Sequence, residues 1–405
     1  MSPGAHASPR GLSRTAVLAV LGRSGPLSRT EIARQLDLSP ATVTQITKRL
    51  LAEGLIVEAE SVPSAGGRPA IRLAVVADAG RAIGVKVAPD HVTVVHVTLD
   101  GSVTGSVTHS FDALDTGALD RLVALLAPEV ASVRGAAPLM GVGVGVPGRV
   151  DTDGSVDSPV LGWRRVPLGK VLAQALAVPV LVDNDVNTVG AAQLLYGHGR
   201  GRDDFLVLTL GYGVGLAVVD GGAVRRGARG AAGEIGHVPV MDNGRPCQCG
   251  NRGCLEAYTG FAGLVRTAVE HGLLREGDRP ESLTALAEAG ESAALEVLRG
   301  AGRLLGRTLA GVANVLDPGA VVVTGEGVAW WPYLRDGFEP ALHGHLFRPI
   351  QNLDVIIDSW SDQDWAQGAA AVVLSAPFNA TDHGIGPADA VRARIGRSTG
   401  RGGSS

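Results

Sequence analysis

The stretch GHVPVMDNGRPCQCGNRGCLEA, residues 236–257, concentrates the metal-binding side chains of this 405-residue chain. It holds one histidine and every cysteine that the sequence contains: His237, Cys247, Cys249 and Cys254. Zinc takes four tetrahedral nitrogen or sulfur ligands, and a Cys3His set that leaves no position for water is the closed, structural type. The stretch therefore predicts a structural zinc ion, which shapes a site and does not itself react.

Two other interpretations of the thiols are open. They could be ordinary buried side chains, with His237 as a satisfied polar residue, but a CxC pair followed by four residues and another cysteine favours a metal. A disulfide framework fits worse, because three is an odd number and a chain of this length buries a large core without cross-links. Reduced thiols and the lack of an apolar leader predict a cytoplasmic protein.

Charge is distributed unevenly along the chain. The net charge is −4, which divides into +4 for residues 1–76 and −8 for residues 77–405. A basic head on an acidic body predicts that only the head meets a polyanion such as DNA. The sequence has no uninterrupted apolar run of about 18 residues, so we expect no membrane span.

The head, residues 1–76, has the pattern of a winged helix-turn-helix. An apolar-periodic helix precedes a break at Gly25-Pro26. Ser28, with Glu31 three residues later, forms a capping box that predicts the start of a second helix. Ser-Pro at residues 39–40 then caps and opens a third helix.

The third helix has two distinct faces. Its inward stripe is apolar and consists of Val43, Ile46, Leu50 and Leu51. Its outer face is polar and consists of Thr42, Thr44, Gln45, Lys48 and Arg49. Gln pairs with adenine, Thr contacts a thymine methyl group or a phosphate, and Lys and Arg neutralise phosphates, so this face predicts a contact with the major groove of DNA.

The wing follows at residues 55–75 as two strand-like runs around a Gly-rich turn. Gly67-Arg68-Pro69 places an extended arginine at its tip, a shape that enters a narrow A·T-rich minor groove. The alternative for the whole head is a helical dimerisation or protein-docking module whose basic face is only solvated.

From about Ala77 onward, strand-like and helical runs alternate, which predicts an α/β body with mixed sheets in two lobes. The strand candidates are AIGVKV, VTVVHVTLDG, LMGVGVGVP, VPVLVDN, FLVLTLG, VGLAVVDGG and AVVVTGE. The helix candidates are ALDRLVALLAPEVASV, VNTVGAAQLLYG, AALEVLRGAGRLLGRTLAGVANVL and residues 363–374. We expect a body over residues 77–376, with lobes at about 77–187 and 188–360 and a last helix that returns to the first lobe. We expect a disordered tail over residues 377–405.

Several motifs of the body together carry a resemblance. They are GVGVPGRVD at 143–151, LGWRRVPL at 161–168, DNDVNTVGAA at 183–192, GARGAAGEIGH at 227–237, CQCGNRGCLEA at 247–257 and LDPGAVVVTGEG at 316–327. With these motifs, the body resembles the ROK family of sugar kinases and sugar-responsive transcription factors. The resemblance covers nearly all of residues 80–375 and implies a two-lobed actin-like and hexokinase-like fold. With a winged helix in front, the chain resembles the repressors of that family.

The resemblance also implies a sugar site. Family members that bind sugar contact its hydroxyls through residues that here are Asn184, Asp185, Glu234, His237 and Glu256. Carboxylates and amides suit a ring of hydroxyls, because each takes two hydrogen bonds. The histidine is a zinc ligand in the family, so one imidazole nitrogen would bind metal while the other faces the sugar or a supporting partner. The alternative for Glu234 and Glu256 is that they only cap backbone amides or pair with arginines.

The chain departs from the family's kinases at the loops that hold ATP. Their first glycine-rich loop corresponds here to residues 86–91, KVAPDH, in which Pro89 has no N–H to donate and Asp90 is negative. The second loop, residues 211–215, carries Tyr212 where a small hydroxyl residue is usual. Phosphoryl transfer depends on positioning and charge stabilisation around phosphates, so we expect little catalysis.

We expect a DNA-binding transcription regulator, most simply a repressor of carbohydrate-metabolism genes, in which a sugar or sugar derivative binds between the lobes. Two-fold operators favour a homodimer or homotetramer. Asp185 matches the general base of the kinases but would serve here as a sugar ligand, and Val160 replaces an Asn that many kinases have. The alternatives are an ATP-dependent sugar kinase with an accessory DNA-binding head, and a regulator that responds to a protein partner.

Overall fold

The computed structural model describes residues 17, 18, 20–22, 24–36, 38–64, 67–133, 138–375 and 391. The chain divides into two compact units, of which the first contains residues 1–201 and 362–405 and the second residues 202–361. Among the described residues, none of the helices combines the length and the apolar composition needed to cross a membrane. The predicted disordered tail lies outside the described residues, apart from Val391.

The head is a small antiparallel sheet with helices. Its strands are β1 (Leu27–Ser28), β2 (Ile56–Ser64) and β3 (Gly67–Val75), and its helices with complete bounds are α1 (Arg29–Leu36) and α2 (Pro40–Ala52). The described residues between 17 and 24 are also helical. β3 pairs with both β1 and β2, which gives the order β1-β3-β2. The predicted winged helix-turn-helix is confirmed.

The predicted caps of both helices are also confirmed. Ser28 Oγ accepts the N–H of Glu31 at 3.2 Å, and the Glu31 carboxylate accepts the N–H of Ser28 at 2.7 Å. Ser39 Oγ accepts the N–H of Thr42 at 3.1 Å, and Pro40 is the first residue of α2. These bonds satisfy amide donors that the first turn of a helix leaves without partners.

α2 buries its predicted apolar stripe. Val43 and Leu50 are fully buried, and Ile46 and Leu51 pack against the same core. Thr47 is buried as well, which the apolar pattern does not show. Its hydroxyl donates to the backbone carbonyl of Val43 at 2.9 Å, so its burial leaves no polar atom without a partner.

A mixed sheet forms the rest of the first unit. Its strands are β4 (Arg81–Val87), β5 (His91–Thr98), β6 (Val103–Ser110), β7 (Leu139–Val146) and β11 (Val180–Asn184). Three short strands lie between β7 and β11 in the chain: β8 (Arg149–Val150), β9 (Val156–Ser158) and β10 (Trp163–Val166). The order is β11-β7-β4-β5-β6, with a separate sheet β10-β9-β8. β7 is parallel to β4 and β11, and it is buried along its whole length, which explains its continuous apolar sequence.

The helices of this part are α3 (Ala118–Ser132), α4 (Leu168–Leu176) and α5 (Asp185–Leu195), with a 3-10 turn at Ala77–Ala79. β11 ends at Asn184, and α5 begins at the next residue. The carboxyl end of a parallel strand, where a helix begins, is the usual position of ligands in α/β folds. The fold therefore places the DND motif at an edge suited to binding.

The second unit has a second mixed sheet. Its strands are β12 (Phe205–Leu210), β13 (Val214–Asp220), β14 (Ala223–Val224), β15 (Ala320–Thr324) and β16 (Asp354–Ile357), in the order β14-β13-β12-β15-β16. Its helices are α6 (Glu256–Thr259), α7 (Phe261–Glu270), α8 (Pro280–Glu288), α9 (Ser292–Leu316) and α10 (Trp331–His345). Its 3-10 turns are Ile235–His237, Glu326–Trp330 and Arg348–Ile350.

The chain returns to the first unit with α11 (Asp362–Ser375). This helix packs closely on β4 and β7, since a Cβ atom at Gly84 or Gly143 would overlap the backbone of Ala366 or Ala369. Only glycine permits such an approach of helix backbone to strand backbone. Gly84 of β4 and Gly143 of the GVGVGV run therefore serve the packing of α11.

The predicted α/β fold is confirmed, and every strand and helix candidate has its counterpart in the structure. The sequence candidates did not include β6, the short strands β8 to β10, or the helices α4, α7, α8 and α10. The compact units meet in the chain between residues 201 and 202, whereas the predicted lobe boundary is at 187. Compact units are not necessarily domains, so the domain boundaries at residues 76, 187, 360 and 376 stay our prediction.

Candidate metal centre and ligand site

The four predicted metal ligands lie together in the second unit. The ligand atoms of His237, Cys247, Cys249 and Cys254 are all within 4.8 Å of one another. Cys247 Sγ is 3.5 Å from His237 Nδ1, and Cys249 Sγ is 3.7 Å from Cys254 Sγ. At zinc–ligand bond lengths, tetrahedral geometry separates sulfur from nitrogen by about 3.6 Å and two sulfurs by about 3.8 Å. The donor set and its dimensions therefore fit a tetrahedral zinc ion.

Local turns bring these ligands together. The N–H of Cys247 donates to the carbonyl of Asn251 at 2.9 Å, and the N–H of Gly250 donates to the carbonyl of Cys247 at 3.0 Å, which closes a tight turn. An antiparallel bridge joins Pro239 to Cys254, and so brings the segment after His237 beside the last cysteine. The ligand positions thus depend on short-range backbone bonds.

His237 presents its two ring nitrogens to different partners. Nδ1 faces Cys247, whereas Nε2 lies 3.8 Å from a carboxylate oxygen of Glu234. Partial burial raises the pKa of Glu234, the nearby His237 imidazole opposes that rise, and the neighbouring Glu256 carboxylate adds to it. One nitrogen is thus available for a metal while the other meets a carboxylate, as is usual for metal-bound histidine.

Glu256 is half-buried at the start of α6 and is held through both carboxylate oxygens. Oε2 accepts the backbone N–H of Val214 at 3.1 Å, and Oε1 accepts a side-chain N–H of Gln248 at 2.9 Å. Glu256 thus binds a backbone amide, as the alternative to sugar binding predicted. Each carboxylate oxygen accepts more than one hydrogen bond, so these two bonds do not use the whole acceptor capacity of Glu256.

Asn184 and Asp185 lie in the first unit, at the end of β11. Asn184 Oδ1 accepts the N–H groups of Val186 at 2.9 Å and Asn187 at 3.2 Å, and its Nδ2 donates to the carbonyl of Gly148 at 3.0 Å. Asn184 therefore caps α5. Sequence analysis missed this role, although an Asn directly before a helical run is its ordinary signal. Asp185 is half-buried, and its carboxylate also accepts the N–H of Val186, at 2.9 Å.

Ion pairs occupy the stretch that corresponds to the first phosphate loop. Lys86 Nζ lies 2.7 Å from Asp362 Oδ1, and the other carboxylate oxygen is 3.6 Å from His91 Nε2. The Lys86 side chain is only 10% exposed, and its ammonium group is 5.0 Å from the centre of the Trp365 ring. The cation at the base of this loop is thus neutralised from within the chain.

Carboxylates occupy the second glycine-rich loop, residues 211–215. Glu256 accepts a backbone N–H of this loop, and the Glu326 carboxylate lies directly against Gly211, where a Cβ atom would overlap it. Tyr212 projects into solvent and is 78% exposed. A carboxylate beside Gly211 is unfavourable for a polyphosphate at this loop. The loss of the nucleotide site stays our prediction.

The predicted DNA-contacting face of α2 is in part engaged within the head. The hydroxyl of Thr44 donates to the carbonyl of Pro40 at 2.7 Å, and the hydroxyl of Thr42 lies 2.8 Å from that of Ser39. Thr44 is nevertheless exposed, as are Gln45, Lys48 and Arg49. Arg68 belongs to β3, but its side chain lies outside the described residues.

The segment that follows α5 contacts the head. The head and the first lobe share one apolar core, against which Tyr196 packs at the end of the helix. A few residues later, the guanidinium group of Arg200 covers Gly25, since Nη2 is 2.6 Å from the position of a Cβ atom there. Gly25 follows the first helix of the head and has a φ of 77°. α5 and the five residues that follow it thus connect Asp185 with a contact to the head.

Comparison with known proteins assigns the chain to a family. Residues 83–376 match the ROK family, and residues 11–66 match the MarR family. The chain belongs to the ROK family. The resemblance that the sequence motifs predicted is confirmed.

Two proteins of similar sequence bear the names of regulators. The DNA-binding transcriptional dual regulator NagC of Escherichia coli K12 is 28% identical over 398 residues, which cover 94% of this chain and 98% of that protein. The xylose repressor of Caldicellulosiruptor bescii is 26% identical over 394 residues, which cover 92% and 98% of the two chains. Similarity to these ROK regulators thus extends through the head as well as the body.

Solved ROK structures include both regulators and kinases. A ROK family transcriptional regulator, described as a homologue of the Escherichia coli MLC protein, has a TM-score of 0.78 at 23% identity and covers 95% of this chain and 98% of its own. A ROK family glucokinase from Streptomyces griseus, in complex with glucose and AMPPNP, has a TM-score of 0.62 at 27% identity. The alignment with this kinase covers 72% of this chain and 99% of the kinase.

Proposed function

We propose that this ROK protein is a sugar-responsive, DNA-binding transcription regulator that represses genes of carbohydrate metabolism and does not phosphorylate its sugar. One observation carries the proposal: a winged helix precedes a body in which Lys86, in the stretch that matches the first phosphate loop, is paired with Asp362, and the Glu326 carboxylate lies against Gly211 of the second loop. Relatives of nearly the same length bear the names of an N-acetylglucosamine repressor and a xylose repressor, which supports the same role here.

The DNA contact is proposed for α2 and the wing. Gln45, Lys48 and Arg49 are exposed on one face of a helix whose other face is packed, which is the arrangement of a recognition helix in the major groove. We propose Arg68 as the minor-groove contact of the wing and Thr42 and Thr44 as contacts that need their hydroxyls to reorient. A two-fold operator requires two heads about one DNA turn apart, so we propose a homodimer or homotetramer.

The proposed effector is a sugar or sugar derivative. The residues proposed to contact its hydroxyls are Asn184, Asp185, Glu234, His237 and Glu256. Support comes from the chemistry of the set, since carboxylates and amides suit the donor and acceptor hydroxyls of a sugar. Two of the five residues, Asn184 and Glu256, also hold their own backbone surroundings, so a ligand would share them with the fold.

The proposed metal is a structural zinc ion held by His237, Cys247, Cys249 and Cys254. Four protein ligands complete a tetrahedral shell, so the ion would polarise no substrate and would only fix the loop that carries it. The same ion would orient His237, whose free ring nitrogen faces Glu234. Zinc would thereby set the position of two proposed sugar contacts.

We propose that the signal reaches the head through α5. Asn184 caps this helix and Asp185 begins it, whereas Arg200 beyond its end covers Gly25 of the head. A ligand that holds Asn184 and Asp185 in one arrangement favours the states of the first unit compatible with it, and it shifts DNA affinity by the difference in its affinity for those states.

A coupled assay with ATP and a panel of sugars tests the proposal against the kinase alternative. Asp185 stands at the position of the family's general base, so loss of the nucleotide site is the feature that separates a regulator from an enzyme. We expect no turnover above background. Turnover at ordinary kinase rates, abolished by Asp185→Asn, would refute the proposal that this regulator does not phosphorylate its sugar.

Calorimetry with the same sugars tests the effector itself. We expect one class of sugar to bind and Glu234→Gln to weaken it. Silence of every sugar at millimolar concentration would refute the sugar effector and favour a regulator that responds to a protein partner.

A further inference from the structure

Gln248 lies inside the metal segment without being one of the four proposed ligands. It stands between Cys247 and Cys249, and its exposed side chain reaches across to Glu256, with 2.9 Å between Gln248 Nε2 and Glu256 Oε1. Both chain neighbours of Gln248 would be fixed by a bound zinc ion. Its backbone position therefore depends on the integrity of the metal cluster.

The Glu256 carboxylate lies in a confined position. Oε2 accepts the N–H of Val214 at 3.1 Å. Cβ atoms at Gly213 and Gly236 would stand 2.9 Å and 3.3 Å from the same oxygen. The carboxylate thus lies between the second glycine-rich loop and the turn that carries His237, and Gln248 donates to its other oxygen, Oε1.

We propose that Gln248 is a positioning residue, which links zinc occupancy to the orientation of Glu256. Zinc fixes the two cysteines, the cysteines fix Gln248, and the Gln248 amide holds the carboxylate in the orientation that also bonds Val214. In the absence of zinc or of the amide, Glu256 samples other rotamers and the 211–215 loop loses an anchor. The inference rests on the proposed sugar binding where it concerns affinity, but the anchoring of the loop does not depend on a ligand.

The chemistry of the bond indicates the size of the effect. A neutral amide that donates to a carboxylate makes a charge-assisted hydrogen bond, and its loss also returns rotamer freedom to the glutamate. Because the Gln248 side chain is exposed, water replaces part of the lost bond. We expect sugar affinity to fall about three- to ten-fold in Gln248→Ala. A larger loss is expected in Gln248→Glu, where two carboxylates would face each other.

The test uses the full-length, zinc-loaded protein and measures zinc content by atomic absorption, sugar affinity by calorimetry and amide exchange over residues 211–215 by mass spectrometry. The matched control is Asn251→Ala, which removes an exposed amide side chain from the same turn. We expect Gln248→Ala to retain its zinc, to bind sugar more weakly and to exchange the Val214 amide faster, as zinc-stripped wild-type protein does. The control should match wild type in all three measurements.

Two results would overturn the inference. One is that Gln248→Ala has the sugar affinity and the amide exchange of wild type. The other is that this variant loses its zinc, which would show that Gln248 supports the metal and does not act through Glu256. If the wild-type protein binds no sugar, the proposed function fails, while faster exchange of Val214 in Gln248→Ala and in zinc-stripped protein still supports the positioning role.

Discussion

Lys86 and Asp362 form an ion pair, with 2.7 Å between Nζ and Oδ1, although 276 residues separate them in the chain. The pair joins the end of β4 to the first residue of α11. The Lys86 side chain is almost completely enclosed, so its charge depends on this carboxylate for compensation. An internal cation with an internal counter-ion thus stands where kinases of the family place a phosphate loop.

Removal of the carboxylate should destabilise the first unit. We expect Asp362→Asn to lower the free energy of unfolding by about 1–3 kcal/mol at pH 7, because an enclosed ammonium group loses its charged partner. Urea unfolding followed by circular dichroism measures the change. Asp336→Asn, at an exposed position of α10, is the matched control and should change stability by less than about 0.5 kcal/mol. Equal stability of the two variants would contradict the account.

The pH dependence of this effect has a defined sign. Burial opposes ionisation of Asp362, but the hydrogen bond and charge of Lys86, with His91, lower the pKa of Asp362 below its ordinary value of 3.8. A carboxyl group with a lowered pKa in the folded state stabilises at pH values above its unfolded pKa, and this contribution is lost as pH falls through the folded pKa. The difference between wild type and Asp362→Asn should therefore persist at pH 7 and pH 5 and shrink below pH 3.8. A difference that grows on acidification would contradict this cause.

The recognition face of α2 makes separable predictions for DNA. Gln45→Ala should weaken binding to the operator by about 1–3 kcal/mol while relaxing its sequence preference, because a base contact is lost. Lys48→Ala should weaken binding to all DNA sequences alike. It should also reduce the slope of log affinity against log salt concentration by about one, because one phosphate contact is lost. Fluorescence anisotropy over a salt series measures both. Gln363→Ala, exposed on α11, is the control, and operator affinities of all three variants equal to wild type would refute the assignment of this face.

Zinc binding should depend on each of the proposed ligands. In Cys249→Ser, a thiolate is replaced by a hydroxyl that binds zinc poorly, so we expect the purified protein to lose most of its metal. Atomic absorption gives the stoichiometry, and Asn251→Ala from the same turn should keep one zinc per chain. Full retention of zinc by Cys249→Ser would show that the ligand set is wrong.

The contact between Arg200 and Gly25 should matter for coupling more than for binding. We expect Arg200→Ala to bind sugar and DNA separately with nearly wild-type affinity, but to reduce the effect of sugar on DNA binding several-fold. Arg335→Ala, at the exposed surface of α10, is the control and should leave the coupling unchanged. An undiminished response of Arg200→Ala to sugar would exclude this route from α5 to the head.

Sequence patterns predicted what neighbours in the chain determine. The capping box of Ser28 and Glu31 involves residues that are three apart, and short turns bring the cysteines of the metal cluster together. The spacing of these residues in the sequence was therefore enough to predict both features. The bond from Glu256 to Val214 spans 42 residues, and the pair of Lys86 and Asp362 spans 276. No local pattern encodes such partners, because they meet only after the sheets and helices have packed.

Two residues escaped prediction for a different reason. Thr47 is a polar residue at a buried position of α2, where its hydroxyl bonds to its own helix and so behaves as an apolar side chain. The sequence predicted Asn184 as a sugar contact but not as the cap of α5. Its side-chain amide serves as a cap and as a sugar contact only if the two roles share it. In both cases, the type of residue indicated the chemistry but not the partner.

Operator binding in the presence of sugars tests the central claim most directly. Fluorescence anisotropy with the promoter DNA that flanks this protein's own gene, with and without hexoses, pentoses, amino sugars and their phosphates, measures both functions in one experiment. We expect tight binding to that DNA and a several-fold change of affinity with one class of sugar, abolished by Glu234→Gln. Tight binding that no sugar alters would contradict a sugar-responsive regulator, and absence of specific binding would contradict the role of the head.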